Sequence, residues 1–387
     1  MTADVQRIGA RRVDTRRGTS SGVLSSEWYS RKKDERYLDL PSLHAALKHR
    51  ADNSRAITIE TNTIKVVGHV AEAERLQLVM PDQSLVTPTH WSFGQICDTA
   101  KAPAGYMRRL PSALAAINLQ HGLIVNPSEV AKLYSSIDGD QEYLRAMTSP
   151  GYGRIHDYEL TGAIMEVIDD TWKVPGVMDW GSMMYDPDVP VTERTTTLFG
   201  SDRDVTVFLC RDQYPIEIGQ IPDGNGGMMP DYLFPAFVAA NSEVGAGRFY
   251  IEMFFMRGVC ANRNFWGIEG GSLSIRHTSG APARFLKEAA PVLRDFTERA
   301  SRPVIDKVNA ARAVQLTQDD VKEKLAKMEY NKPTIAAIID AAVVMEGHPP
   351  ENAWDLVQAI TAHARDIPYQ ADRLAVERRA GALLDKL

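Results

Sequence analysis

Between Asn241 and His277 the chain concentrates its side chains capable of chemistry. Glu243 is a candidate general base. Cys260, with Asn262 and His277 downstream, has the residue types of an activated thiol, because imidazole beside a thiol favours the nucleophilic thiolate. Both have a plain packing alternative. Glu243 can bond backbone amides in the turn before Gly245, and Cys260 follows Gly258 and Val259 at the end of an apolar strand, where a cysteine serves as a small apolar residue. His156, Asp157, Glu243 and His277 are the natural metal ligands. No His-Glu-x-x-His, His-x-x-His or Cys-x-x-Cys spacing accompanies them, so no metal site and no cofactor are expected. Gly224-Asn225-Gly226-Gly227 lacks a following Lys-Ser or Lys-Thr. It fails both the phosphate-loop and the dinucleotide fingerprints and reads as a hairpin loop.

A second chemistry uses arginines and aromatics. Arg145, Arg154, Arg257, Arg263 and Arg276 fall in or beside strands and turns, with Tyr152, Phe265 and Trp266 close by in sequence. Guanidinium groups grip phosphates, and aromatic rings stack on unpaired bases. The candidate nucleic-acid residues are therefore Arg145, Tyr152, Arg154, Arg257, Asn262, Arg263, Arg276 and His277. Asn241, Ser242, Glu243 and Gly245 form a structural or ligand-holding turn. No helix-turn-helix with a basic recognition helix is visible, which favours single strands over duplex. The alternative stays open: the arginines pair with acids and the aromatics fill the core.

The elements that must position these residues follow from patterning. Of 387 residues, 44% are hydrophobic and 24% charged, the composition of a soluble globular chain with ample core. The longest apolar runs, Ile335 to Met345 and Phe249 to Met256, fall short of the ~20 residues of a membrane span, and no secretory signal is read at the N-terminus. Three scattered cysteines suit reduced thiols in a cytoplasmic protein. The net charge of −6 opposes general adhesion to nucleic acid. Residues 1–36 nonetheless carry nine Arg or Lys against five acids, as a solvated arm or a phosphate-seeking one.

Past a disordered arm over residues 1–38, Ser42 is expected to cap a short helix. Ile57 to Glu60 and Ile64 to Gly68 read as a hairpin, and Leu76 to Met80 as a third strand. Thr89 caps a helix bearing Trp91, Phe93, Ile96 and Cys97; Pro111 opens another through Leu119, and residues 128–135 add one more. Tyr143 to Thr148 is strand-like, and Asp157 caps a helix with Leu160, Ile164, Val167 and Ile168 on one face. Residues 174–190 read as loop. Strands return over Thr195 to Gly200, Val205 to Arg211, Phe234 to Ala240 and Phe249 to Arg257. From Pro282 the pattern is helical, with Phe285, Leu286, Ala289, Val292, Leu293 and Phe296 at helix spacing and further helices over 318–329, 334–346, 351–365 and 370–386. The expected class is α+β: a central, mainly antiparallel sheet with flanking helices and a helical C-terminal third. The expected division is arm 1–38, core 39–280 and helical region 281–387.

Several blocks, in order, resemble a known family: Trp91 to Leu110 with Pro103, Gly105-Tyr106-Met107 and Arg109-Leu110-Pro111; Leu144 to Ser149 with Tyr152 and Arg154; Asn241 to Gly245; Arg257 to Asn262 with Arg276-His277; and Trp354 to Thr361 with Arg378 and Arg379. They are similar to the phage- and plasmid-encoded proteins grouped as domain of unknown function 932. The likeness spans roughly residues 90–380 and leaves out the arm. It implies a mobile-element protein among DNA replication, recombination or anti-defence functions, and carries no activity. The expectation is a self-associating single-stranded DNA binding or annealing protein without membrane attachment. An enzyme on nucleic acid or nucleotides, with Glu243, Asn262 and His277 near its site, is one alternative; a phage structural or interaction protein is another.

Overall fold

The computed structural model describes residues 35–68, 76–127, 129–174, 178–179, 184–185, 190–193, 196–211, 215–222, 227–257, 263–264, 272–298, 302–364, 367 and 370–384. Residues 1–34 of the expected arm, the Gly224–Gly226 loop, Cys260, Asn262, Phe265 and Trp266 lie outside them, while residues 35–38 of the arm are described, with Arg36 and Tyr37 paired as a strand rather than disordered.

The first elements among the described residues are β1 (Arg36–Tyr37) and α1 (Leu40–Asp52). Strands β2 (Ser54–Glu60), β3 (Lys65–Gly68), β4 (Leu76–Val79) and β5 (Leu85–Pro88) follow. Three helices come next, α2 (His90–Thr99), α3 (Ala104–Met107) and α4 (Ser112–Val125), then β6 (Val130–Asp138), β7 (Gln141–Thr148) and α5 (Asp157–Val167). The two-residue strands β8 (Met178–Asp179) and β9 (Met184–Tyr185) pair with each other. The middle of the chain is β10 (Leu198–Gly200), β11 (Val205–Cys210), β12 (Ile216–Pro222), β13 (Met228–Asn241), β14 (Phe249–Arg257), β15 (Arg263–Asn264) and β16 (Ser272–Ile275). It ends with α6 (Ala281–Glu298), α7 (Arg302–Ala313), α8 (Gln318–Lys327), α9 (Lys332–Glu346), α10 (Ala353–Ala364) and α11 (Gln370–Leu384).

These strands form two large sheets. The first has the order β2-β6-β7-β5-β4-β3, antiparallel except where β5 runs parallel to β7. The second runs β1-β10-β11-β13-β14-β15, with β12 added on β13 and β16 on β14, all antiparallel. Helices follow the second sheet rather than alternating with strands, so the α+β class holds, with two sheets in place of one.

Each sheet has its own apolar core. Leu76, Leu78, Val86, Leu133 and Leu144 of the first meet Phe93, Ile96 and Cys97 of α2 and Ala115, Leu119 and Leu123 of α4. One face of the second, with Val207, Phe237, Phe249 and Ile251, meets Leu43 and Leu47 of α1, Leu160 and Ile164 of α5 and Phe285 of α6. The opposite face carries Phe208, Phe234, Phe254 and Met256. A third cluster joins Ile216, Ile218 and Leu233 to Val308, Val321, Ile338, Trp354 and Ile360 of the C-terminal helices. Among the described residues no helix is long and apolar enough to cross a membrane.

Four local expectations are corrected. The segments over β2 and β3 are not a hairpin: they form opposite edges of the first sheet, because β2 pairs only β6 and β3 pairs only β4. Residues 130–138 are strand rather than helix; their inward residues Ala131 and Leu133 complete the sheet between β2 and β7. Helix α1 is capped by Asp39, whose Oδ1 accepts from the Ser42 amide at 2.7 Å; Pro41 in the first turn fixes the start ahead of Ser42. Helix α5 is capped by His156, so Asp157 is its first helical residue. The Thr89 cap of α2 is present, and α8, α9, α10 and α11 lie where the periodicity set them.

Candidate functional site

The turn between β13 and β14 brings both halves of the chain together. Asn241 ends β13, and Ser242 to Val244 are buried where the chain reverses. Gly245 has φ +88°, a left-handed conformation that glycine takes without strain, and its backbone lies against Gln95, Tyr152 and Thr148. Indole Nε1 of Trp91 and amide Nε2 of Gln95, both on α2, donate to the Val244 carbonyl at 3.0 Å. The Tyr152 hydroxyl donates to the Ser242 carbonyl at 2.8 Å, and Arg154 donates to the Glu243 carbonyl. The first sheet's helix and the β7–α5 connection thus hold the second sheet's turn.

Under this turn lies a buried ionic cluster. Arg145 on β7 pairs with the Glu243 carboxylate, and the two are 1% and 2% exposed. The other oxygen of Glu243 accepts from the Asp157 amide at 3.1 Å, a donor of the first turn of α5 that has no partner inside its own helix. The helix dipole also favours the negative charge there. Arg50 of α1 reaches Asp157 at 2.9 Å and Glu243 at 3.5 Å. Asn241 donates to Asp157 Oδ1 and to the Ile155 carbonyl, both at 2.8 Å.

The two carboxyls are pushed apart. Burial raises Asp157 well above its ordinary value, and the neighbouring Glu243 charge adds to it. Burial acts on Glu243 in the same sense, but Arg145, His156 and Arg50 outweigh it and hold Glu243 well below the usual carboxylate range. Glu243 is the more readily ionised member and Asp157 the more readily protonated one, a split of the kind that assigns acid and base roles in enzymes. Arg145 Nε, Arg50 Nε, Asn241 Oδ1 and Asp202 Oδ2 are buried without hydrogen-bond partners among the described residues.

Nearer the surface, the rings of Tyr152 and His277 stack, with centroids 5.0 Å apart and planes 20° from parallel. Arg154 lies 3.9 Å from the Tyr134 ring and 5.5 Å from that of Tyr152. His277 Nδ1 donates to the Gly153 carbonyl at 3.0 Å, which leaves Nε2 as the acceptor nitrogen; burial lowers its pKa, so the ring is neutral near pH 7. Arg276 is exposed.

Arg145, Tyr152, Arg154, Asn241, Ser242, Glu243, Gly245 and His277 therefore converge, with Arg276 at the rim. Arg145 is spent on Glu243 and too deep to reach a phosphate. Arg257 belongs elsewhere. Its Nε and Nη2 grip Asp231 at 2.9 Å each, it also pairs with Glu346, and it is 2% exposed. This pair, joined by Arg312 at 3.3 Å, fastens α7 and α9 to the second sheet. Both arginines are structural, because a nucleic-acid contact needs a guanidinium open to solvent. Arg263 lies in β15, paired with Met256. Arg50, Tyr134 and Asp202 join the site without having been singled out; His156 and Asp157 were read only as metal-ligand candidates, and Trp91 only as a helix residue in a motif block. No group of three or more His, Cys, Asp or Glu among the described residues is arranged to hold a metal.

Comparison with models of protein families, with curated proteins and with solved structures gave no match. The likeness drawn from the motif blocks stands on those residues alone.

Proposed function

We propose that the protein binds single-stranded DNA at the edge formed by Tyr152, Arg154, His277, Arg276 and Arg248. The observation that carries this reading is a register. Phe249 of β14 faces Ile275 of β16, so the residues just outside them, Arg248 and Arg276, stand at one end of the same strand pair. Both are exposed, and neither side chain has an ion pair or hydrogen bond among the described residues. The half-buried Tyr152–His277 stack adjoins them, since Gly153 and His277 share backbone and ring hydrogen bonds. Cationic side chains beside partly exposed rings suit a flexible strand of phosphates and unpaired bases. A local basic edge also answers the objection raised by the net charge of −6.

With this reading goes a role in phage or plasmid DNA recombination or replication in the host cytoplasm, supported by the motif resemblance only. Self-association belongs to it too. Its support is α4, where Leu114, Ile117, Ile124 and Val125 are 49–65% exposed on a face without charged residues. Such apolar surface suits contact with a second copy.

The test is fluorescence anisotropy with labelled single-stranded and duplex oligonucleotides at two salt concentrations, on the full chain and on a chain lacking residues 1–36. Salt-dependent preference for single strands that survives truncation supports the folded edge as the site. Binding lost with the arm assigns it to residues 1–36, and no binding at low salt ends the proposal. An enzyme is the second reading of the split Asp157–Glu243 pair; the two carboxyls lie as deep as Arg145, so cleavage of the same oligonucleotides, abolished in Glu243→Gln of native fold, is what would establish it.

A further inference from the structure

At the start of α2, Arg108 and Arg203 both act on His90, Arg108 from the side of Phe93 and Arg203 from the side of Trp91. His90 is the first residue of α2, after the Thr89 cap. Arg108 Nη2 donates to the His90 carbonyl at 3.0 Å, and its guanidinium lies 5.2 Å from the Phe93 ring. The guanidinium of Arg203, in the turn between β10 and β11, lies 5.8 Å from the Trp91 ring. Both arginines act electrostatically on His90, whose pKa is lowered to about 4 by burial and then by these two charges. The imidazole is therefore neutral, and the cluster holds two cations.

Neither Arg108 nor Arg203 forms an ion pair among the described residues, and each is half-buried. The acids nearby make no ion pair with either arginine among the described residues. Asp98 acts on Arg108 only at a distance and is exposed. Asp202 is raised by burial toward its neutral form. Asp204 Oδ1 accepts from the Ser201 hydroxyl at 2.6 Å. Two buried atoms of the cluster, His90 Nδ1 and Arg108 Nε, have no hydrogen-bond partner among the described residues. Burial weighs on the Arg108 guanidinium, and with no ion pair to either arginine a bound anion would offset that cost. Arginine matches a phosphate through paired N–H donors, and the free amides at the start of α2 add to the same field.

We infer that His90, Arg108 and Arg203 form a phosphate-binding site. The chemistry fits a phosphodiester of a single strand or the phosphate of a free nucleotide. Its assignment to a strand rests on the single-stranded DNA reading above; the site itself does not.

The experiment uses the full-length protein and its Arg203→Gln and Arg108→Gln variants, with circular dichroism to confirm native fold. Three probes are used: labelled oligothymidylate by anisotropy, and thymidine monophosphate and inorganic phosphate by thermal shift. Arg203→Gln keeps the fold testable should Arg108→Gln weaken it through the lost bond to His90. For a strand, each variant lowers affinity about tenfold and reduces the salt slope by about 0.7. If the wild type ignores the oligonucleotide but is stabilised by the monophosphate or by phosphate, and the variants are not, the site stands and the single-strand reading falls. If the oligonucleotide binds equally to wild type and variants, and the monophosphate and phosphate stabilise all of them alike or none, the single-strand reading stands and this site is overturned. Indifference of the wild type to all three probes overturns it as well.

Discussion

Arg145 and Glu243 are 98 residues apart in sequence and meet as a buried ion pair that joins β7 of the first sheet to the β13–β14 turn of the second. Removing one member leaves the other charged and buried. Glu243→Gln is therefore expected to lose about 3–5 kcal/mol of stability, read as a lower urea midpoint at unchanged slope. A loss under ~1 kcal/mol would mean that the cluster is more hydrated than its burial indicates.

The split carboxyl pair gives opposite pH signatures. Glu243 is depressed in the fold, so its contribution is present above the unfolded value of 4.5 and is lost as pH falls through its lower folded value. Asp157 is raised, so its contribution is complete below the unfolded value of 3.8 and declines as pH rises through its folded value. Asp157→Asn keeps acceptor capacity without a charge to bury. Its stability relative to wild type should increase as pH rises from 4 toward neutrality. Urea midpoints at each pH check this; a constant difference would remove the raised Asp157.

Gly153 sits against the chain after β16, and a Cβ there would stand 1.9 Å from the Thr278 carbonyl oxygen. Gly153→Ala must push the segment bearing His277 away from Tyr152. A cost of about 1–3 kcal/mol is expected, with weaker single-strand binding. Tyr152→Leu should weaken binding by about 1–3 kcal/mol through loss of the ring, whereas Tyr152→Phe keeps the stack and loses only the bond to Ser242. Equal affinity of the Leu and Phe variants would show that no base stacks there.

The apolar face of α4 predicts association. Ile117 is 65% exposed, so Ile117→Lys can enter the monomer without a buried charge. Sedimentation velocity should show the wild type as a concentration-dependent oligomer and the variant shifted toward monomer. An unchanged distribution would leave α4 with no part in assembly.

What the sequence made legible was local. Thr89 and the helices after Pro282 could be read because a cap or a 3.6-residue period needs only near neighbours. The Asn241–Gly245 turn was legible as a cluster, and Arg145, Tyr152, Arg154 and His277 as candidate nucleic-acid residues, but not that these meet at the turn. Arg50 was not: it follows Lys48 and His49 near a helix end and reads as solvated, while its partner Asp157 is 107 residues away. Arg257 was grouped with Arg263 by proximity along the chain, whereas its partners Asp231 and Glu346 select it by tertiary contact. The β2–β3 segments failed for the same reason, since strand pairing is decided by the whole sheet.

That order of strands also sets a schedule for synthesis. The outer strands β2 and β3 leave the ribosome first, and the inner pair β6 and β7 last. Until residue 138 has emerged, β2 has no neighbour, and β3, β4 and β5, which pair with one another, keep the β5 edge open. The parallel contact of β5 with β7 is the closing move, made when a late hairpin slides between two early flanks. A translating chain halted before that point would expose two unfinished sheet edges, and it is at this stage that a chaperone would find it.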